Sequence, residues 1–195
     1  MRSMSIHSTS FTIDQQGWIQ PALHLSSPNF NQRPQNTEIN LLVIHNISLP
    51  AGEFGGNYIS QLFCNTLDCS QHETFADLQD LRVSSHVFID RDGRVTQFVS
   101  LHDRAWHAGV SHFDGRDNCN DFSIGIELEG TDTTPYTIGQ YHALAQLARV
   151  LMQKYPAINK DRIVGHNTIA PGRKTDPGES FDWPYFFSLL GSSPG

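Results

Sequence analysis

Two hydrophobic spacings alternate along this chain, and they mark its elements. "NLLVIHN" is a continuous apolar run from Asn40 to Asn46, which predicts a strand buried on both faces. "SHVFIDRDGRVTQFV" alternates on either side of Asp92-Gly93, the signal of a hairpin turn. "DFSIGIELEG" alternates cleanly, with Ile124, Ile126 and Leu128 facing one way and Ser123, Gly125, Glu127 and Glu129 the other. From Thr137 the period lengthens to that of a helix. Tyr141, Leu144, Ala145, Ala148, Leu151 and Met152 form a stripe, Thr137 and Gln140 match a capping box, and Pro156 ends the run. "NYISQLF" reads as a short helix capped by Asn57, and "DRIVGH" as a last short strand. "DWPYFFSLLG" reads as a closing helix with Pro184 in its first turn and Gly191 as its stop. Residues 1–38 are polar and broken by Pro21, Pro28 and Pro34, and read as an irregular arm. The expectation is a single α/β domain over residues 1–195, a mixed central sheet flanked by helices.

Composition narrows the function without naming it. The net charge of −7 and the lack of a Lys/Arg cluster argue against a nucleic-acid partner. No apolar run approaches the length of a membrane span. The first residues show no apolar core of a leader peptide, and Cys64, Cys69 and Cys119 lack paired spacing. Free thiols in a cytoplasmic protein, and a monomer, are the expectation.

The candidate chemistry sits at strand ends. His45 and His166 each close an apolar strand, so a sheet would deliver both to one rim. Between Val164 and Gly178 the loop "VGHNTIAPGRKTDPG" is stiffened by Pro171 and Pro177 and made pliant by Gly172 and Gly178. It can carry Asp176 to the same rim. Two imidazoles and one carboxylate leave a fourth tetrahedral position free, the donor set of a catalytic rather than a structural zinc. Lys174, two residues before Asp176, could meet a developing oxyanion. Glu127 and Glu129 share the polar face of one strand, and alternation alone does not choose between them as a proton carrier. The "DRDG" turn at Asp90 lacks the later ligands of a calcium loop.

"LLVIHNISLPAGEFGG", "LRVSSHVFIDRDGRVTQFV", "RAWHAGVS", "CNDFSIGIELEGTD" and "GHNTIAPGRKTDPGESFDW" together resemble the AmpD-type branch of the zinc amidases, the 1,6-anhydro-N-acetylmuramoyl-L-alanine amidases. The likeness runs from about Gly17 to Trp183. It implies an N-acetylmuramoyl-L-alanine amidase-like fold and one zinc ion per chain on His45, His166 and Asp176. It also implies catalysis by Glu127 with Lys174, so it selects Glu127 over Glu129. Trp106 would lie against the anhydro-sugar, Arg82 would help hold an acidic stem peptide, and Asn46 would join them in binding substrate. The implied substrate is a small muropeptide of cell-wall recycling. Asn118 departs from the pattern, standing where the branch often has a basic residue. Two other readings keep the same fold: a peptidoglycan-recognition module without hydrolysis, and a lytic amidase acting on intact wall.

Overall fold

A computed structural model of the protein describes residues 10–191. The stretch taken as leaderless falls largely outside those residues. The chain enters through four two-residue strands, β1 (Thr12–Ile13), β2 (Ile19–Gln20), β3 (Leu23–His24) and β4 (Phe30–Asn31). It continues through β5 (Leu41–Ile47), α1 (Tyr58–Phe63), β6 (Val87–Ile89) and β7 (Val95–Gln97). Next come the short β8 (Arg104–Ala105), β9 (His112–Phe113) and β10 (Arg116–Asp117), then β11 (Ser123–Glu129) and α2 (Ile138–Lys154). It closes with β12 (Ile163–Gly165), α3 (His166–Ile169) and α4 (Trp183–Gly191).

Six strands form the central sheet in the order β12-β5-β11-β6-β7-β3. Strands β12, β5, β11 and β6 run parallel, and the β6–β7 hairpin supplies the antiparallel pair. The sheet is therefore mixed, as expected. One face carries Leu42, Ile44, Ile124, Ile126 and Leu128 into the main core, where Leu144, Ala148 and Leu151 of α2 and Phe186 and Leu190 of α4 cover it. The opposite face carries Leu41 and Val43 against Ala108, Cys119, Phe122 and Ile169. In β5 and β11 the even-numbered face thus builds the core. The odd-numbered faces of β5 and β11 are free for chemistry at their carboxyl ends, where open α/β sheets place their clefts.

Local signals explain these elements. Thr137 accepts from the Gln140 backbone while the Gln140 side chain accepts from the Thr137 backbone, both at 3.1 Å, so the capping box forms as read. The Gln140 side chain also donates to the Glu129 carbonyl at 2.8 Å, tying α2 to the end of β11. In the hairpin, Asp90 Oδ1 accepts from the amides of Asp92 and Arg94, and Gly93 takes the positive φ of 81° that the turn requires.

Three expectations are corrected. The arm is not irregular over its described part: β3 pairs with β7 at the sheet edge and β4 with β8. Asn57 stands at the start of α1 but makes no side-chain cap bond. His45 lies within β5, two residues before its end, and His166 opens α3 rather than closing β12.

Candidate metal centre and active site

Parallel pairing in register sets Glu127 of β11 beside His45 of β5. On the other side of β5, Gly165 pairs with Ile44, so the next residue, His166, emerges next to His45. Asp176 is brought in by the loop that follows α3. The Asn167 amide donates to the Asp176 carbonyl at 3.0 Å, the buried Tyr136 hydroxyl donates to the Pro177 carbonyl at 2.8 Å, and Ser180 donates its amide to the Asp132 carbonyl. Asp132 also receives hydrogen bonds from Asn46 and from the Thr175 hydroxyl. The loop is thus bolted to the segment after β11 on both sides of Asp176.

The donor atoms form a small triangle. His45 Nδ1 stands 3.0 Å from His166 Nδ1, and each lies 3.1 Å from Asp176 Oδ2. His166 Nε2 lies 3.0 Å from the Ala108 carbonyl, and with Nε2 as the donor its Nδ1 turns a lone pair into the triangle. Two ring nitrogens and a carboxylate oxygen then converge as a cation's donor set. A tetrahedral ion with nitrogen and oxygen bonds of about 2.0–2.2 Å separates its ligand atoms by about 3.3–3.6 Å, a few tenths of an ångström wider than the triangle without an ion. Burial pushes the His45 imidazole down to about 4, so it offers a neutral ring at physiological pH. Burial alone would raise Asp176, but its bonds to His166 and His45 outweigh that and hold it well below the ordinary carboxylate range. The donor set, its geometry and its protonation all suit a divalent metal of the zinc kind.

Beside the triangle opens a cleft of about 340 Å³, lined by His45, Glu127, Lys174, Trp106 and Asn46 among others, with Leu49, Leu62 and Leu78 as apolar wall. Its size is that of a small-ligand site. Glu127 Oε2 is buried with no hydrogen-bond partner, a poised acceptor in the cleft floor. Burial first, and the negative Asp176 second, push the Glu127 carboxyl well above its usual range, opposed by Lys174. Trp106 is pinned by its indole N–H, which donates to Asn31 at 2.7 Å.

The structure brings His45, His166, Asp176, Glu127, Lys174, Trp106 and Asn46 together. It does not bring Arg82, which is exposed outside that lining and donates to the carbonyls of Gln79 and Leu81. Glu129 points elsewhere: its carboxylate accepts from the amides of Gly55 and Arg91 and is a structural brace. Asn118 adopts a left-handed φ of 58°, a conformation asparagine tolerates well, at the start of the turn before β11. Reading the sequence missed Asp132, Tyr136 and His107, whose roles exist only in three dimensions.

The crystal structure of a selenomethionine derivative of AmpD superposes with a TM-score of 0.88 at 53% identity, covering 91% of this chain and 98% of that one. The Escherichia coli AmiD amidase, solved with its substrate anhydro-N-acetylmuramic acid-L-Ala-D-γ-Glu-L-Lys, gives 0.58 at 28% identity over 95% of this chain and 68% of that one. The 1,6-anhydro-N-acetylmuramyl-L-alanine amidase AmpD of Escherichia coli K12 is 54% identical over 176 residues, 90% of this chain and 96% of the relative. The Haemophilus influenzae protein of the same name is 51% identical over equal shares. The N-acetylmuramoyl-L-alanine amidase family model matches residues 35–179. The chain belongs to that family, in its AmpD-type branch.

Proposed function

We propose that the chain hydrolyses the amide joining the lactyl group of (1,6-anhydro-)N-acetylmuramic acid to L-alanine in soluble muropeptides, as a zinc amidase of cytoplasmic peptidoglycan recycling. One observation carries this reading: a His-His-Asp donor triangle beside a buried, unpartnered carboxylate, in a cleft walled by Trp106 and Lys174. His45, His166 and Asp176 hold the ion. When bound, zinc lowers the pKa of water and polarises a carbonyl.

Glu127 accepts a proton from the attacking water as the new C–O bond forms at the amide carbon. It then returns that proton to the departing nitrogen as the C–N bond breaks, so it ends the cycle as it began. Lys174 supplies a positive charge where the carbonyl oxygen becomes negative. Trp106 offers a flat apolar face for the sugar, and Asn46, held by Asp132, a fixed amide beside it. The nucleophile is water, and no covalent intermediate forms on the protein.

Mass spectrometry of products from a defined anhydromuramyl tripeptide, with and without a chelator, tests the reading. Release of free anhydromuramic acid and peptide, abolished by the chelator, is expected. Binding without turnover would leave a recognition module, and solubilisation of intact sacculi in preference to the soluble substrate would leave a lytic wall amidase.

A further inference from the structure

The segment that follows Trp106 closes around the back of the donor triangle. Both histidine donors present Nδ1 to the triangle, so their Nε2 atoms face the protein, and both Nε2 atoms meet this one segment. His166 Nε2 meets the Ala108 carbonyl at 3.0 Å, and His45 Nε2 meets His107 Nδ1 at 2.9 Å. On its far side His107 Nε2 stands 3.1 Å from the Ser123 hydroxyl. The backbone amides of His107 and Ala108 both donate to Asn120 Oδ1, at 3.1 and 2.8 Å, which holds the segment in place.

The sequence of β11 is cut to fit this ring. Ser123, Gly125 and Glu127 share one face of the strand. A Cβ at Gly125 would come within 2.5 Å of the His107 ring carbon and Nδ1. Gly125 therefore reserves the space that the imidazole occupies, and Ser123 meets its far nitrogen.

We propose that His107 is the positioning residue of the metal centre, accepting a hydrogen bond from His45 Nε2 and so fixing the His45 tautomer with its Nδ1 lone pair toward the ion. The inference rests on the metal reading given above. The hydrogen-bond roles follow one chain: His45 Nε2–H donates to His107 Nδ1, and His107 Nε2–H donates to Ser123 Oγ. An acceptor behind a ligating imidazole orients the ring and raises its basicity, and its loss typically weakens metal binding about 10–100-fold. Because the same segment carries Trp106, the sugar-facing wall and the metal support are one continuous piece of backbone.

The test measures zinc affinity of metal-stripped protein by competition with a chromogenic chelator, with circular dichroism to confirm folding. His107→Leu, which keeps bulk and removes the acceptor, should weaken zinc about 10–100-fold. His107→Asn, whose side-chain oxygen can take the place of Nδ1, should recover most of that loss. Gly125→Ala leaves every polar group in place but pushes the ring away, so it too should weaken zinc, and it decides the matter should the leucine variant fail to fold. Wild-type zinc affinity in the folded variants, with only KM for the muropeptide raised, would make His107 a substrate contact and overturn the proposal. His45→Ala separates the two readings: if it binds zinc as the unmodified chain does, the metal site itself is wrong and both fall. A loss confined to His45→Ala would remove His107 alone.

Discussion

Two glutamates two residues apart on one strand have opposite surroundings, and the proposed division of labour rests on what each carboxylate touches. Glu127 Oε2 is buried and unpartnered in the cleft, whereas Glu129 is saturated by the amides of Gly55 and Arg91. Glu127→Gln keeps shape but cannot carry a proton, so hydrolysis should drop by about 100-fold or more while zinc stays bound. Glu129→Gln should spare the chemical step and lower stability by about 1.5–3 kcal/mol, the worth of hydrogen bonds to a charged group. Steady-state kinetics beside urea unfolding of the two variants measures both. An exchange of phenotypes would place the proton carrier on the wrong residue. Lys174 is exposed at the cleft edge, and in the proposed mechanism it acts on charge that exists only in the transition state. Lys174→Ala should therefore lower kcat, with a loss of about 2.7–4 kcal/mol of barrier stabilisation, and leave muropeptide affinity nearly intact. Calorimetric titration followed by timed hydrolysis separates the two quantities; weaker binding at an unchanged rate constant would remove Lys174 from catalysis.

At the scale of elements, legibility followed periodicity. Strands β5 and β11 and helix α2 were readable because seven or more residues repeat one spacing, and their inward faces build the core as that spacing requires. Strands β1 to β4 were not, since two residues hold no period and are defined only by their partners. The donor triangle was legible as two histidines close to the carboxyl ends of apolar strands and an aspartate in a stiff loop, although His45 lies within β5 and His166 opens α3. His107 was not, although it stands within the quoted "RAWHAGVS", because its meaning comes from Gly125 and Ser123 on another element. Arg82 shows the reverse: a residue named by resemblance lies outside the cleft lining. The loop that carries Asp176 yields a comparison between elements. Tyr136→Phe deletes the buried bond to the Pro177 carbonyl and should cost about 1–3 kcal/mol, since it leaves that acceptor unsatisfied. It should also weaken zinc binding, as Asp176 precedes Pro177. Thr137→Ala, one residue on, removes the cap of α2 and should cost about 0.5–2 kcal/mol with metal affinity unchanged. Equal zinc affinities in the two variants would show that the Tyr136 bond does not help position Asp176.

Across the whole molecule, building the site has loaded the interior with titratable rings, and this sets how stability responds to acid. His45, His86 and His107 are held neutral by burial; His86 is pushed down to about 3, with the Arg33 charge adding to the effect, and His107 lies well below its ordinary value. In the unfolded chain each would take up a proton below about pH 6.5. Folding therefore excludes three protons in mildly acid solution, and stability falls as pH falls from about 6.5. Glu127 opposes this, since its raised carboxyl is protonated in the folded state above about pH 4.3, where the unfolded group is not. Three rings outweigh one carboxyl, so the unfolded chain binds more protons and stability falls with pH below about 6.5. Urea unfolding of the chelated protein at pH 7, 6 and 5 should show midpoints falling steeply below pH 6.5, and a flat or rising profile would contradict it. Zinc should raise the whole profile, because the ion stabilises only the folded chain. Repeating the series with zinc in excess should move the collapse to lower pH, and identical profiles with and without zinc would mean that the donor triangle does not bind the ion.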